Sequence, residues 1–233
     1  NILVVVYVFS FILALCFITP IFKKFHILKE ITMIKFFYNF LYKYLRAPWD
    51  IGPREELVSL VNTGKIKPCK VIDLGSGTAS NCLFLAEKGF DVTGVDYSPA
   101  AVQKGRFMAR QSGVHVNFIL DDLTNLRYVK GKFDFLIDYG TFDDLNPSDR
   151  ILYIKNILPM TRKGTKFLFF CFEWAHRWWE RLLIRTHVIG ALALEPGEVF
   201  QRFGKFFVIK PMKVEKNNSI IIPRVATYLM TRK

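Results

Sequence analysis

Cysteine and histidine are both scarce in this chain of 233 residues. The four cysteines, Cys16, Cys69, Cys82 and Cys171, have neither the spacing of a zinc site nor the density of a disulfide framework. We therefore expect reduced thiols, no metal site and a domain that faces the cytosol. The four histidines share no motif, and the sequence offers no Ser-His-Asp or Cys-His set for nucleophilic catalysis.

Acidic residues are also few, with 20 against 33 lysines and arginines, so that the formal net charge is +13. This excess permits attraction to nucleic acid, to anionic lipid or to an acidic substrate, and it does not choose among them. Internal repeats and low-complexity linkers are absent after residue 50. The length suits one α/β domain with a sizeable core.

The most informative stretch runs from Lys70 to Ser80. An apolar, β-branched run carries Asp73 near its end and is followed by Gly75-Ser76-Gly77 and then by a segment with helical periodicity. This order predicts a buried parallel strand that leads through a tight loop into a helix, because glycine allows backbone angles and close approaches that a Cβ forbids. Such a loop can present its N–H groups to a nucleotide-like ligand.

A second strand is predicted at Phe90–Asp96, and its terminal carboxylate can accept two hydrogen bonds from a ribose diol. Ser98 suits the N-cap of a helix over Pro99–Gly113, since Pro99 then takes the first helical position. A third strand is predicted at Val114–Leu120. A strand, a glycine loop, a helix, a second strand and an acid thus follow one another with matching spacing along the chain. This order favours a nucleotide-binding α/β fold.

The segments Val71–Ala79 and Val92–Ser98 resemble motif I and the second-strand motif of class I S-adenosylmethionine-dependent methyltransferases. The resemblance covers the chain from about Ala47 to its C-terminus. At Ala79 many members have a third glycine, and we expect the small alanine to be tolerated there. The resemblance implies a Rossmann-like, seven-stranded sheet with helices on both faces over residues 53–233, and S-adenosyl-L-methionine as the cofactor.

The resemblance also implies which residues hold the cofactor. An acid after the third strand accepts a hydrogen bond from the adenine amine, and the register from Phe118 places Asp122 there, while Asp121 is open as a solvated neighbour or a cap. Trp49 either offers a flat face to the sulfonium or adenine, or plugs a hinge. The implied cofactor contacts are Trp49, Asp73, Gly75, Ser76, Gly77, Asp96, Tyr97, Asp122, Leu123 and Asp138.

The fourth predicted strand lies within Lys132–Leu145 and leads into Asp138-Tyr139-Gly140-Thr141-Phe142. This stretch resembles an Asp-x-Gly-x-Phe motif of the thiol, halide and thiopurine methyltransferases. Asp138 and Tyr139 are thus the candidate catalytic residues, and Asp138 holds the cofactor's amino acid part or faces the substrate. We expect Asp143 and Asp144 to be loop and helix-cap acids.

The N-terminal segment Ile2–Phe22 carries no charge and is long enough to span a bilayer. It lacks a preceding basic region and a clear cleavage site, which favours a membrane anchor (1–22) over a cleaved signal peptide. The lysines that follow place the remainder in the cytoplasm. An upstream translation artefact or a buried helix is the alternative; with a start near Met33 the protein would be cytoplasmic.

Residues 23–52 form an aromatic segment, and Ile34–Leu45 within it is predicted to be a helix that lies at a membrane surface or packs over the ligand pocket as a lid. A helix is also predicted at Pro147–Met160 and a fifth strand at Thr165–Phe172. Within Glu173–Gly190, basic residues and tryptophans at helical spacing favour a helix that rests on a membrane surface or covers the substrate pocket, or else an ordinary helix with a solvated basic face. A final antiparallel pair is predicted at Phe206–Lys210 and Arg224–Thr231.

The sequence thus predicts methyl transfer from S-adenosylmethionine to a small molecule, which the aromatic N-terminal segment suggests is apolar. Neither an Asn/Asp-Pro-Pro-aromatic motif nor another specific nucleic-acid signal is present, and the oligomeric state is open. One alternative is a membrane-tethered, non-catalytic scaffold with the same fold. The acids and glycines of the cofactor motifs are present, however, which argues against a loss of cofactor binding. Another is an NAD-dependent oxidoreductase, but the sequence lacks a Tyr-x-x-x-Lys pair.

Overall fold

The computed structural model describes residues 38–44, 52–174, 193–214 and 224–233. Three predicted features lie outside these ranges: the membrane span Ile2–Phe22, the residue Trp49 and the basic helix within Glu173–Gly190. Of the last segment, the described ranges include only Glu173 and Trp174. Among the described residues, no helix combines the length and apolar character that crossing a membrane requires.

A seven-stranded mixed sheet forms the centre of the domain, in the order β3-β2-β1-β4-β5-β7-β6. Strands β1 to β5 are parallel, whereas β7 is antiparallel to both β5 and β6. This confirms the predicted Rossmann-like class and the final antiparallel pair. The strands are β1 (Lys70–Leu74), β2 (Asp91–Asp96), β3 (Asn117–Leu120), β4 (Phe135–Tyr139), β5 (Lys166–Glu173), β6 (Phe207–Val214) and β7 (Arg224–Arg232).

Helices cover both faces of the sheet. They are α1 (Glu55–Asn62), α2 (Ser80–Glu87), α3 (Pro99–Gln111), α4 (Pro147–Ile157), which continues as a 3₁₀ turn (Leu158–Met160), and α5 (Glu198–Phe203). Leu57, Leu85 and Val102, from α1 to α3, belong to one buried core, and Tyr153 and Phe203, from α4 and α5, belong to the other. Residues 38–44 are also helical and are called the lid helix below, for reasons given with the site.

Two glycines make room for the ring of Phe118 between β2 and α3. A Cβ on Gly94 would lie 2.9 Å from the nearest ring atom, and a Cβ on Gly105 would lie 2.8 Å from it. Such approaches are shorter than real carbon contacts, so both positions require glycine for packing. The sequence pattern predicts the strand and the helix there but not this interlock.

The directions of the strands give the sheet two different edges. Strands β1 to β5 all end at one edge, the carboxyl edge, and all begin at the opposite one, the amino edge. In open parallel sheets ligands bind in the crevice beyond the carboxyl ends of the strands. The predicted site residues after β1, β2 and β4 therefore gather at a single place.

Ala79 is the one non-glycine residue with a positive φ among the described ranges, at φ 72 and ψ 13. It precedes α2 and is fully buried, so a methyl group fits, as expected from the sequence. The backbone angle is nevertheless left-handed, which costs about 1–2 kcal/mol for an L-residue. The loop is therefore strained at the position where the resemblance implies a third glycine.

Replacing Ala79 by glycine should stabilise the protein by about 0.5–1 kcal/mol, because the left-handed strain exceeds the extra flexibility of glycine in the unfolded chain. Urea unfolding of the Ala79→Gly variant would measure this. Ala86→Gly, inside α2, is the matched control and should destabilise by about 1 kcal/mol. Equal destabilisation by both substitutions would show that Ala79 is not strained.

Candidate active site

Three strands bring carboxyl groups to the carboxyl edge of the sheet. Asp73 on β1, Asp96 at the end of β2 and Asp138 on β4 are 2%, 5% and 0% exposed. All three are among the cofactor residues that the sequence predicts. Their burial in the same region makes the electrostatics of this edge unusual, because charged groups are rarely so far from water.

The loop after β1 is fixed by backbone contacts. The N–H groups of Gly75 and Ser76 both donate to the Val95 carbonyl, at 2.8 and 2.9 Å. A Cβ on Gly75, which has φ +80, would lie 2.0 Å from Oγ1 of Thr141. That hydroxyl in turn donates to the Leu74 carbonyl at 3.0 Å. Gly75 is thus needed for the approach of the loop after β4.

Asp96 holds the glycine loop and the start of α3 together. Its Oδ2 accepts the Gly77 N–H at 2.9 Å and its Oδ1 accepts the Ser98 N–H at 2.8 Å. Burial raises the pKa of this carboxyl to about 6, and these N–H groups limit the rise. Each carboxylate oxygen has a further lone pair, so the predicted contact with a ribose diol is compatible with these bonds.

Asp73 and Asp138 are even more strongly affected by their surroundings. Burial raises the pKa of Asp73 to about 7, and the thiol of Cys82 lies 3.5 Å from its Oδ2. Burial also raises the pKa of Asp138 to about 7, although Tyr153 donates its hydroxyl to Oδ2 at 2.5 Å and Thr141 its N–H to Oδ1 at 2.8 Å. Asp138 therefore shapes the loop after β4, and a direct contact with ligand stays a prediction.

Tyr139, the other catalytic candidate, is engaged on every side. Its hydroxyl donates to Oε2 of Glu56 at 2.6 Å. Its ring stacks on Phe170 with centroids 4.1 Å apart, and the Arg54 guanidinium lies 4.5 Å from the ring centroid. Burial and the hydrogen bond to Glu56 raise the pKa of Tyr139 far above its usual value. This setting does not suit a general base.

Beside these acids lies a cavity of about 540 Å³ that Tyr97, Asp121 and Asp122 help to line. The two neighbouring acids have different surroundings. Asp121 is buried, and its carboxylate accepts the N–H groups of Arg127 and Tyr128, which closes the loop after β3. Asp122 is half-buried on the cavity wall, where its Oδ1 accepts the Thr124 N–H at 2.8 Å.

This arrangement suits the predicted assignment of the adenine contact to Asp122. Leu123 packs into the core below it and is 7% exposed. The side chain of Leu123 is therefore not a lining group of the cavity.

The lid helix, residues 38–44, packs over this site. Tyr38 donates its hydroxyl to Oδ2 of Asp144 at 2.5 Å, and Oδ1 of Asn39 accepts from the Ser98 hydroxyl at 2.8 Å. The hydroxyl of Tyr42 lies 3.0 Å from the position of a Cβ on Gly77. The described part thus lies over the pocket, which is one of the two locations predicted for this segment, and the membrane-surface location stays a prediction. The sequence indicates an aromatic helix but not these partners.

Asp143 and Asp144 lie in the loop before α4, as the sequence predicts, but neither of them caps the helix, which corrects that part of the prediction. Asn146 caps α4, since its Oδ1 accepts the N–H groups of Ser148 and Asp149. Asp143 is 1% exposed and accepts the Phe172 N–H at 2.9 Å, so that it continues the contact between the ends of β4 and β5. Asp144 binds the lid helix. The cap signal of Asn146 precedes a proline at the first helical position and could have been recognised.

Arg150 is a site residue that the sequence did not reveal. It is 2% exposed, and its guanidinium donates to the carbonyls of Phe142 and Asp143 and to the carboxylate of Glu198. Burial lowers the pKa of Arg150, and Glu198 opposes that shift. The residue fixes the loop after β4 against α5. An arginine in the middle of a helix gives no sequence signal for such a role.

Known proteins resemble this chain in both sequence and structure. A methyltransferase-domain family model matches residues 66–173. A 2-heptyl-1-hydroxyquinolin-4(1H)-one methyltransferase of Mycobacteroides abscessus is 32% identical over 130 residues, which are 55% of this chain and 57% of that protein. A methyltransferase of uncharacterised activity from Schizosaccharomyces pombe is 33% identical over 100 residues, which are 43% of this chain and 68% of that protein.

Among solved structures, the 1,6-didemethyltoxoflavin-N1-methyltransferase of Burkholderia thailandensis, with bound 1,6-didemethyltoxoflavin and S-adenosylhomocysteine, superimposes with a TM-score of 0.63. The match covers 88% of this chain and 90% of that chain at 16% identity, so it concerns the fold. The chain spans 57% of the mycobacterial relative, little more than half of its length.

The raised pKa values predict how stability depends on pH. Between about pH 4 and pH 7 the folded protein binds more protons at Asp73 and Asp138 than the unfolded chain does, so the free energy of unfolding should fall as pH rises. Asp73→Asn removes one such charge. It should be more stable than the wild type at pH 8, and this advantage should shrink below about pH 7 and be lost near pH 4.

Chemical denaturation across this pH range would measure the effect. Asp91→Asn, at the exposed start of β2, is the control and should show no such pH-dependent gain. A constant difference between Asp73→Asn and wild type at all pH values would contradict the idea that Asp73 is charged and uncompensated in the ligand-free protein.

Proposed function

Because the chain belongs to the class I S-adenosylmethionine-dependent methyltransferases, we propose that it transfers the methyl group of this cofactor to a small, apolar acceptor. The observation that carries the proposal is the group of carboxyls around the glycine loop and beneath the lid helix, namely the buried Asp73, Asp96 and Asp138 and the half-buried Asp144. A binding site of this charge calls for a cationic ligand.

The residues present fit the cofactor. S-adenosylmethionine carries two positive groups, a sulfonium and an ammonium, and one carboxylate, so it is a net cation. Such a molecule would stabilise the ionised form of the acids whose pKa values are raised in the ligand-free site. Asp96 would hold the ribose, Asp122 and Tyr97 would hold the adenine, and Gly75, Ser76 and Gly77 would offer backbone at close range. The same acids would repel the phosphates of NAD, which counts against the oxidoreductase alternative.

When bound, the cofactor supplies an electrophilic methyl group on its sulfonium. The protein's own contribution is then to orient the acceptor and to exclude water. Tyr38 and Asn39 fasten the lid helix to Asp144 and Ser98, and Tyr42 lies over Gly77. These contacts shield the site without providing a base. An acceptor that loses its own proton readily, such as a thiol, an acidic hydroxyl or a ring N–H, suits this described part of the site.

Aromatic rings at the ends of β4 and β5 support an apolar acceptor. Tyr139 stacks on Phe170, and Phe170 meets Phe172 edge-on with centroids 5.4 Å apart. Phe172 is 40% exposed and so offers part of its ring to a ligand. A flat, apolar molecule gains from stacking there. The mycobacterial relative, by its name, acts on a hydroxyquinolinone, which is a molecule of that kind.

The membrane part of the proposal is supported by the sequence alone. The apolar run Ile2–Phe22 would anchor the chain, and the basic residues after it would keep the catalytic domain on the cytoplasmic side. The aromatic rings of Tyr139, Phe170 and Phe172 would serve equally well for an acceptor that arrives from water. A non-catalytic scaffold is the second candidate, and cofactor binding separates it from the enzyme.

S-adenosylhomocysteine should bind in the micromolar range, and Asp96→Asn should weaken binding about tenfold to hundredfold, because a charge-assisted bond to the ribose contributes about 1.5–3 kcal/mol. Isothermal calorimetry would measure this, with Asp91→Asn as the control and NAD as the negative ligand. A folded protein that binds neither molecule would favour the scaffold.

Phe172→Ser should raise KM for any acceptor that the wild type methylates, by about tenfold, and leave the affinity for S-adenosylhomocysteine unchanged, since the lost contact is with the acceptor. A screen of thiols, hydroxyquinolones and quinols with the radiolabelled cofactor identifies the acceptor first. A fall in cofactor affinity with unchanged KM would place Phe172 outside the acceptor site.

A further inference from the structure

The edge of the sheet opposite the candidate site carries an unusual amount of positive charge. The loops that lead into β1, β4, β5 and β6, together with the end of β7, lie at this amino edge. They hold exposed lysines, which are called the amino-edge lysines below. These are Lys65, Lys67, Lys70, Lys130, Lys132, Lys163, Lys205 and Lys233.

Contacts between the loops make the amino-edge lysines one continuous surface. A Cβ on Gly131, between Lys130 and Lys132, would lie 3.8 Å from Nζ of Lys70. The Asp134 N–H donates to the Lys70 carbonyl at 2.8 Å. Further along the edge, the N–H groups of Gly164 and Lys233 donate to the Arg232 and Phe206 carbonyls, respectively. Strands lie about 4.8 Å apart, so the row from β1 to β6 spans roughly 20 Å.

Acidic residues do not neutralise this surface. Glu87, Asp91 and Asp134 lie near it, and Asp134 forms an ion pair with Arg162. Within the described ranges, Lys65, Lys67, Lys130, Lys132 and Lys163 form neither an ion pair nor a hydrogen bond through their ammonium groups. The fold therefore does not use these charges, and their mutual repulsion is slightly destabilising.

The composition of the amino edge favours a broad anionic surface over a specific site. Lysine is a hydrated point charge without the planar geometry that arginine offers to a single phosphate. Tyr128, in the loop that leads into β4, is 66% exposed, but it lines the cavity at the carboxyl edge, so among the described residues the large exposed aromatic rings are not grouped with these lysines as a stacking platform for bases. A lipid surface requires neither feature, and each lysine near it contributes about 1 kcal/mol.

A second feature of the chain points to the same kind of partner. Ile2–Phe22 is an uncharged apolar run of the length that enters a bilayer. Stable membrane attachment commonly combines an apolar element with a basic surface. We propose that the amino-edge lysines are a docking surface for an anionic lipid bilayer. The carboxyl edge, with the candidate active site, then faces away from the membrane and is open to acceptors from water.

Hydrogen–deuterium exchange of the full chain tests this docking surface directly. The chain is compared in buffer, with vesicles of phosphatidylcholine, with vesicles that also contain phosphatidylglycerol, and with duplex RNA. Neutral vesicles account for any insertion of the apolar run. We expect slower exchange in the loops at 63–67 and 129–133 with the phosphatidylglycerol vesicles only. This protection should vanish at high ionic strength, where the Debye length falls to about 3 Å.

Matched triple variants locate the effect. The first variant carries Lys65→Gln, Lys130→Gln and Lys132→Gln. Its two loops should be no better protected by anionic than by neutral vesicles, because the charge-dependent part of its affinity falls by about hundredfold. Lys104→Gln/Lys210→Gln/Lys213→Gln removes the same charge from α3 and β6 and should behave as the wild type. Unfolding curves of both variants check the fold, and the wild-type salt dependence gives an answer without any variant.

Three outcomes would overturn the proposal. One is unchanged exchange at the two loops with anionic vesicles. Another is protection there by duplex RNA instead of vesicles, which would make the amino edge a nucleic-acid surface. The third is an equal loss in both triple variants, which would show that only net charge matters. None of these measurements uses the cofactor, so they are independent of the proposed methyl transfer.

Discussion

Burial of several carboxyl groups at one edge of the sheet is the constraint on which the rest of the structure depends. Asp73, Asp96 and Asp138 approach one another because parallel strands end together, and desolvation raises their pKa values to about 6 or 7. A core without a ligand would gain by replacing such groups with apolar ones. The proposed binding of the cationic cofactor among them would account for their presence at the ends of three strands.

The protein holds these acids with neutral donors instead of buried cations. Backbone N–H groups bind Asp96, and the hydroxyls of Tyr153 and Tyr38 bind Asp138 and Asp144. Neutral donors fix the position of a carboxylate without cancelling its charge, which remains available to a ligand. Arg150, a buried cation nearby, binds Glu198 and main-chain carbonyls and also limits the rise that burial causes in the pKa of Asp144, so it organises the loop after β4 and offsets part of the negative charge there.

The sequence predicts those features that follow from local pattern. The parallel strands, the glycine loop and the acid at Asp96 depend on periodicity and on spacing along the chain, and the structure has all of them. Ala79 shows where such inference ends, since its size predicts tolerance but its left-handed φ arises from the path of the whole loop. The contact of Asp143 with β5 and that of Tyr38 with Asp144 join residues 29 and 106 positions apart, and no local signal encodes them.

Among the described residues, the buried acids lie at the carboxyl edge and the exposed amino-edge lysines at the opposite one, and this separation follows from the topology. Each βα unit returns the chain to the amino edge through a connection that needs only to be soluble, and lysine fills such loops at Lys65, Lys130 and Lys163. At the carboxyl edge, the proposed cofactor would require the acids. A domain polarised in this way has a preferred orientation on an anionic surface, because the field attracts one edge and repels the other. The orientation that the lysines favour is thus the one that keeps the acidic site away from the lipid phosphates. Close to the membrane, the acids of the site and the lipid phosphates would compete for the same counterions.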